Sequence, residues 1–205
     1  MVIKEFWDGR YSAPEYAYGV DPNEYFKQQL DKLTPGKILL PAEGEGRNAV
    51  YAALQGWEVN AFDWSIEAKK KADALAALNK VSIQYQVGDW SSLYYDQEQF
   101  DVIGLTYAHF TTQSISAVHQ KLIQYLRKGG IVIFEAFSKQ HIEYNSKDKG
   151  AGGPKNPDML FALEDIATDF KDFEIIELVE QVIDLKEGPY HNGKGAVIRF
   201  TGIKK

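Results

Sequence analysis

The chain reads as a doubly wound α/β domain, and three features of its sequence predict that class. Compact apolar runs suited to buried parallel strands alternate with helical patterns, which calls for a parallel sheet with helices on both faces. The first such run leads into a glycine-containing loop. The last two runs, 173–185 and 196–203, have no helix between them and must pair antiparallel as a closing hairpin. A chain of 205 residues, 44% hydrophobic and without internal repeat or composition shift, suits one core rather than two.

Each element has a local cause. Asp21-Pro22-Asn23-Glu24 offers an N-cap, a proline at the first helical position and a following glutamate, opening a helix that Thr34-Pro35-Gly36 ends. Lys37-Ile38-Leu39-Leu40-Pro41 is the first strand. The loop 42–46 follows, then a helix over 47–54 that Gly56 closes. Residues 59–63 form the second strand, and Ser65 caps a helix with the stripe Ile66, Ala72, Leu75, Ala76. Residues 81–87 alternate with period two. A strand over 100–105, a helix marked by Ile115, Val118, Leu122 and Leu126, and a buried strand over 130–135 complete the core. Residues 138–157, rich in Lys, Gly, Asn and Pro, read as a long mobile loop. A helix through Leu160, Leu163, Ile166, Ala167 and Phe170 precedes the hairpin, whose strands are joined by residues 187–193.

Composition excludes several functions. With no cysteine there is no disulfide framework, thiolate zinc site, iron–sulfur cluster or cysteine nucleophile. The first residues lack the basic and apolar segments of a secretory signal, so the cytoplasm is expected. The uncharged stretch 102–120 carries Thr106, His109, Thr111, Thr112, Gln113, Ser114 and Ser116, too polar for a bilayer span. A net charge of −6 with scattered lysines gives no footprint for nucleic acid. Lys69-Lys70-Lys71 reads as the solvated face of a helix. The 4 Trp, 12 Tyr and 11 Phe side chains stand out.

In doubly wound sheets ligands bind at the carboxyl ends of the strands, close to the first strand–loop–helix. Here Gly44 and Gly46 allow close backbone approach, and the helix beginning near Arg47 or Asn48 aims free N–H groups at a ligand. Asp63, at the tip of the second strand, stands where an acid hydrogen-bonds a ribose diol. Together they point to a nucleoside-containing ligand. The alternative is a tight turn with an aspartate that caps the helix at Ser65. Glu43 and Glu45 would repel a pyrophosphate, so the loop favours a ligand bearing ammonium or sulfonium charge.

Residues 38–51, Ile-Leu-Leu-Pro-Ala-Glu-Gly-Glu-Gly-Arg-Asn-Ala-Val-Tyr, resemble the first motif of class I S-adenosylmethionine-dependent methyltransferases, and their Gly-Arg-Asn resembles the tellurite-resistance and thiopurine methyltransferase branch. Further matches are 6–11 (Phe-Trp-Asp-Gly-Arg-Tyr), 14–19, 62–65, Gly88-Asp89-Trp90, 100–103, 126–130 and 193–199. The resemblance implies a Rossmann-like, mostly parallel seven-stranded sheet ending in an antiparallel C-terminal hairpin. It implies a single methyltransferase domain over 1–205: an N-terminal lid and helix (1–35), a cofactor-binding core (36–136), then substrate loop, helix and hairpin (137–205).

It also implies S-adenosyl-L-methionine as cofactor and a small-molecule methyl acceptor, in a monomer or weak homodimer that uses neither nucleic acid nor membrane. Gly44 and Gly46 would meet the methionine portion through backbone groups, with Asn48 as a further cofactor-binding candidate. Asp63 would take the ribose, with Trp64 against the adenine and Ser65 beside it. Asp89 would accept from the adenine amino group, flanked by Trp90, and Thr106 and Tyr107 would sit near the sulfonium. Trp7, Tyr11, Tyr16 and Tyr18 lie in an N-terminal segment without strong secondary structure, which is expected to fold over the cofactor as a lid. The sequence departs from the family at Leu40, where an acid is usual, and at Ala42 and Glu43, where glycine and cysteine are usual. Glu43 is the candidate partner for the cofactor ammonium. Leu185-Lys186-Glu187 replaces the Leu-His-Arg of tellurite-type members, so a tellurite substrate does not carry over.

Transfer from a sulfonium needs alignment and exclusion of water rather than a metal, and aromatic faces suit it. If the acceptor needs a base, His109 and His191 are the candidates. His119 is expected on a helix face and His141 in the mobile loop. Thiols, selenols or metalloid anions need none, so no catalytic residue and no metal ligand is assigned. Two other readings stay open: a non-catalytic binder of the same cofactor, and a nicotinamide-dependent oxidoreductase sharing the loop and Asp63.

Overall fold

In the computed structural model, residues 4–110 and 115–205 are described. Residues 1–3 and Thr111, Thr112, Gln113 and Ser114 lie outside them, and with them part of the expected lid and of the polar stretch after the fourth strand. Seven strands form one sheet in the order β3-β2-β1-β4-β5-β7-β6. The strands are β1 (Lys37–Pro41), β2 (Glu58–Asp63), β3 (Gln84–Val87), β4 (Phe100–Thr106), β5 (Leu126–Phe137), β6 (Phe173–Glu187) and β7 (His191–Lys204). β1 to β5 are parallel, and only β7 runs against its neighbours. The expected doubly wound sheet with a closing hairpin is what forms.

The sequence-predicted helices fall into place as α2 (Glu24–Leu30), α3 (Arg47–Leu54), α4 (Ile66–Leu78), α5 (Ile115–Tyr125) and α7 (Leu163–Asp169), with α1 (Lys4–Tyr11) and the short α6 (Ile142–Asn145) added. Aliphatic and aromatic side chains fill both sides of the sheet. Leu39, Ile103, Val132, Phe134 and Phe200 meet α5 and α7 on one face, and Ile38, Leu40, Val59 and Val102 meet α2 and α3 on the other. Burial of such side chains is the main stabilising term.

Several boundaries differ from expectation. The cap of α2 is Asn23, whose side chain accepts from Phe26 N at 2.8 Å, because Asp21 and Pro22 lie before the first turn. The N-terminal segment contains α1, stabilised by the Lys4–Asp8 pair and by packing of Tyr11 on Ala68 of α4. The exposed face of α4 takes Ile66, and the buried stripe is Ala68, Ala72, Leu75 and Ala76. Leu126 belongs to β5, not to α5, pairing with Phe100 before a bulge. β3 starts only at Gln84.

The expected mobile loop 138–157 is instead tied down by three short turns and α6, with His141, Asn145 and Ala151 buried. His141 decides this: its Nδ1 accepts from Ala196 N at 3.3 Å while Nε2 faces the Gly152 carbonyl at 3.1 Å. α7 starts at Leu163, since Leu160 packs with Phe137 and Val197 instead. The hairpin turn is tighter than expected, with Glu187 directly opposite His191. His119 lies inside the helical layer, its Nδ1 2.7 Å from Asp169 Oδ2. No described helix is long and apolar enough to cross a membrane.

Candidate active site

A cavity of about 470 Å³ opens at the carboxyl ends of β1, β2 and β4. This is the range of small-ligand sites. Its floor is the loop between β1 and α3. Gly44 and Gly46 both have positive φ, +64° and +90°, the left-handed region that favours glycine. A Cβ at Gly46 would lie 2.6 Å from the Cβ of Ala72, so glycine there lets α3 close on α4. A Cβ at Gly44 would lie 2.9 Å from the Tyr11 hydroxyl, on the cavity side.

The loop is pinned from both flanks. Gly44 N donates to Asp63 Oδ2 at 3.0 Å, and Tyr85 Oη donates to the Gly44 carbonyl at 2.6 Å. Ser65 N donates to Asp63 Oδ1 at 2.9 Å, and the Ser65 hydroxyl caps α4 by accepting from Ala68 N at 3.2 Å. Burial raises the Asp63 carboxyl to about 6 despite these N–H donors. Glu43 is pushed up further, to about 7, again chiefly by burial. Its Oε1 accepts from Ala49 N at 2.8 Å, so it takes over the capping of α3 that Gly46 cannot supply.

Of the residues singled out from sequence, Trp7, Tyr11, Glu43, Gly44, Asn48, Asp63, Trp64, Thr106 and Tyr107 line this one cavity. Gly46 and Ser65 lie behind the lining, in packing and capping roles. Asp89 and Trp90 are not brought to the cavity wall. Asp89 accepts from Ser91 N at 2.7 Å as a turn aspartate, while Trp90 packs on the α5 side beneath Lys121. Gly88, next to them, does line the cavity. Lys71 is not solvated: it meets the buried Glu45 at 2.7 Å.

The N-terminal segment contributes Phe6, Trp7, Arg10 and Tyr11 to the lining. Trp7 stacks on Tyr11 with centroids 5.5 Å apart, and Asp8 accepts from the Ser65 hydroxyl at 2.5 Å, docking α1 on the start of α4. Further on, Ala17 N donates to Glu45 Oε2 at 2.8 Å.

Part of the lining was not singled out from sequence: Arg10, the Arg47 side chain and Tyr190 stand there with Tyr18 of the expected lid and with His109 and His191. Arg47 pairs with Glu187 at 3.1 Å, and the His191 ring lies 4.6 Å from Tyr107 and 4.5 Å from Tyr18. Although burial alone would raise it, Arg47 and His191 hold Glu187 down to about 2. His191 is lowered, first by burial, and His109 falls to about 3 by burial and by the neighbouring histidines. His109 Nδ1 and the Tyr107 hydroxyl are buried without a partner among the described residues, and Tyr107 sits at φ +49°. The signal that could have exposed this wall is the 14–19 segment and the hairpin turn folding to the same edge, which needs the tertiary fold.

Comparison with known proteins agrees. Residues 38–130 match a family model described as a methyltransferase domain. No curated protein matches the chain. Among solved structures, a protein studied for conversion of a disulfide bond into a thioacetal group during echinomycin biosynthesis is similar at TM-score 0.77 and 17% identity, over 98% of this chain and 92% of that one. TehB from Haemophilus influenzae is similar at 0.71 and 18%, over 98% of this chain and 67% of that one. A SAM-dependent methyltransferase from Methanosarcina mazei is similar at 0.69 and 17%, over 90% and 98%. The glycines, the acid at the tip of β2 and the aromatic cover fit S-adenosylmethionine. Residues 38–130 are thus similar to a methyltransferase domain, and S-adenosylmethionine is the cofactor that this similarity implies.

Proposed function

We propose that the protein transfers a methyl group from S-adenosylmethionine to a small molecule with a soft nucleophile, such as a thiol or a metalloid. The observation that carries this reading is the juxtaposition of the glycine loop, Asp63 and the Trp7–Tyr11 cover around one cavity. The cofactor, when bound, supplies a methyl carbon already activated by its sulfonium. Asp63 would hold the ribose hydroxyls, with Trp64 and Trp7 walling the adenosine. Glu43, facing the cavity at the start of α3, would meet the ammonium. Trp7 and Tyr11 would keep water out.

The acceptor class is supported by the histidines. Both cavity histidines are depressed, so each is neutral and a weak base. A nucleophile that ionises readily suits such a wall. The second reading, a non-catalytic binder of the same cofactor, draws on the engagement of the Glu43 carboxylate with Ala49 N. The experiment is a S-adenosylhomocysteine release assay over thiols, metalloids and amines, preceded by calorimetry with S-adenosylhomocysteine. Release with a thiol or metalloid is expected. No binding would sink both readings, and binding without turnover would leave the second.

A further inference from the structure

The charges around the cavity differ in how they are partnered. Its acids, Glu43, Glu45 and Asp63, all stand on the cofactor-loop wall and each already has a partner inside the protein: Ala49 N, Lys71 with Ala17 N, and the N–H groups of Gly44 and Ser65. The cations of the lining are Arg10 on α1, Arg47 at the start of α3 beside Glu43, and Lys149 and Lys155 on the 149–155 turn. Of these Arg47 is neutralised by Glu187. Arg10, Lys149 and Lys155 have no carboxylate partner among the described residues.

Arg10 is held ready. Its guanidinium carbon lies 3.8 Å from the Tyr190 ring centroid and 5.0 Å from that of Phe6, and Nη1 donates to the Tyr18 hydroxyl at 3.1 Å. The remaining N–H groups of that fork are uncommitted, and a planar fork suits a carboxylate. The main-chain carbonyl of Tyr190 meets Gly152 within the lysine-bearing turn, so the residue whose ring carries Arg10 also borders that turn. In a chain of net charge −6, three unpaired cations at one cavity mouth are a selective feature.

We infer that the methyl acceptor is a small carboxylate-bearing molecule whose anion is taken by Arg10, with Lys149 and Lys155 drawing it to the mouth. The inference rests on the methyltransferase reading above. With a thiol acceptor, the acceptor sulfur gains the methyl carbon and the pair of the breaking C–S bond stays on the cofactor sulfur. The thiol proton leaves to bulk water.

The test compares 3-mercaptopropionate with 3-mercaptopropionamide in the S-adenosylhomocysteine release assay. The acid is expected to exceed the amide in kcat/KM by about tenfold or more, an advantage that shrinks with added salt. Arg10→Gln and the Lys149→Gln/Lys155→Gln pair should each cut that ratio to below about threefold, while the lysine pair leaves S-adenosylhomocysteine affinity within about twofold. An acid-to-amide ratio near one in the unaltered protein overturns the inference. So does an intact ratio in Arg10→Gln with about tenfold weaker S-adenosylhomocysteine binding, because the guanidinium would then serve the carboxylate of the cofactor. If neither thiol is methylated, both are titrated into the S-adenosylhomocysteine complex, where preferential binding of the acid supports the inference and equal or absent binding overturns it. Failure to bind S-adenosylhomocysteine at all, read before any thiol is added, removes the methyltransferase reading itself.

Discussion

Arg47, the first residue of α3, meets Glu187, the last residue of β6, at 3.1 Å with both side chains nearly buried. The same carboxylate faces His191 Nδ1 at 3.2 Å and accepts from Asn23 Nδ2 at 2.8 Å. Asn23 in turn donates to Glu135 at 2.6 Å, and Glu135 accepts from Arg199 at 2.5 Å. The helix behind the glycine loop, the closing hairpin and the N-terminal segment are thus fastened through one polar network. Removing one member of a buried pair leaves a charge without compensation. Glu187→Ala is expected to cost about 3–5 kcal/mol in urea denaturation, and Arg47→Met combined with Glu187→Leu to recover most of it. A loss of less than about 1 kcal/mol in the single variant would show that the network does not hold the hairpin.

The raised carboxyls give a pH dependence with a defined sign. Asp63 lies at about 6 against an ordinary 3.8, and Glu43 at about 7 against 4.5. Both are more readily protonated folded than unfolded, so their contribution to stability is complete below pH of about 4 and is lost as pH rises through about 7. A bound cation reverses the balance by favouring the ionised carboxyl. S-adenosylmethionine affinity, measured by calorimetry, is therefore expected to rise about tenfold between about pH 5.5 and about pH 8, with release of protons. In Glu43→Gln the rise should be markedly flatter.

Asp63→Ala should weaken S-adenosylmethionine binding by about tenfold or more, since it removes the proposed ribose acceptor and unpairs Gly44 N and Ser65 N. The variant should also melt at lower temperature. Tyr85→Phe separates the two effects. It loses only the 2.6 Å bond to the Gly44 carbonyl, so a stability cost of about 1 kcal/mol is expected with affinity nearly kept.

The N-terminal cover is testable through its own fluorescence. Trp7→Ala breaks the stack on Tyr11, and S-adenosylhomocysteine affinity should fall about fivefold to fiftyfold with loss of the ligand-induced emission change. Deleting residues 1–18 and finding unchanged affinity would show that the segment is not a lid.

The sheet order could be anticipated because strand and helix alternate, with one glycine loop in the expected place. The positions of the glycine loop, Asp63 and Trp64 were legible because they are set locally: one strand tip, one turn, one cap. Asp89 and Trp90 show the limit of motif reading, since the aspartate is satisfied by its own turn and the tryptophan packs on α5 instead of facing the cavity. The roles of Arg10, the Arg47 side chain and Tyr190 were not legible. These side chains converge only after the 14–19 segment and the hairpin turn fold to the same edge, a long-range contact with no periodicity. The 138–157 segment misled for the opposite reason: its glycines and prolines shape tight turns over buried His141, where composition alone suggested motion.

Gly46 and Ala72 meet where α3 crosses α4, and a single methyl group separates them. Their sizes are therefore set jointly. Enlarging Ala72 would push on the loop as surely as replacing the glycine, although Ala72 touches no ligand. Any effort to redesign the cofactor pocket must treat position 72, on the outer helix, as part of its blueprint.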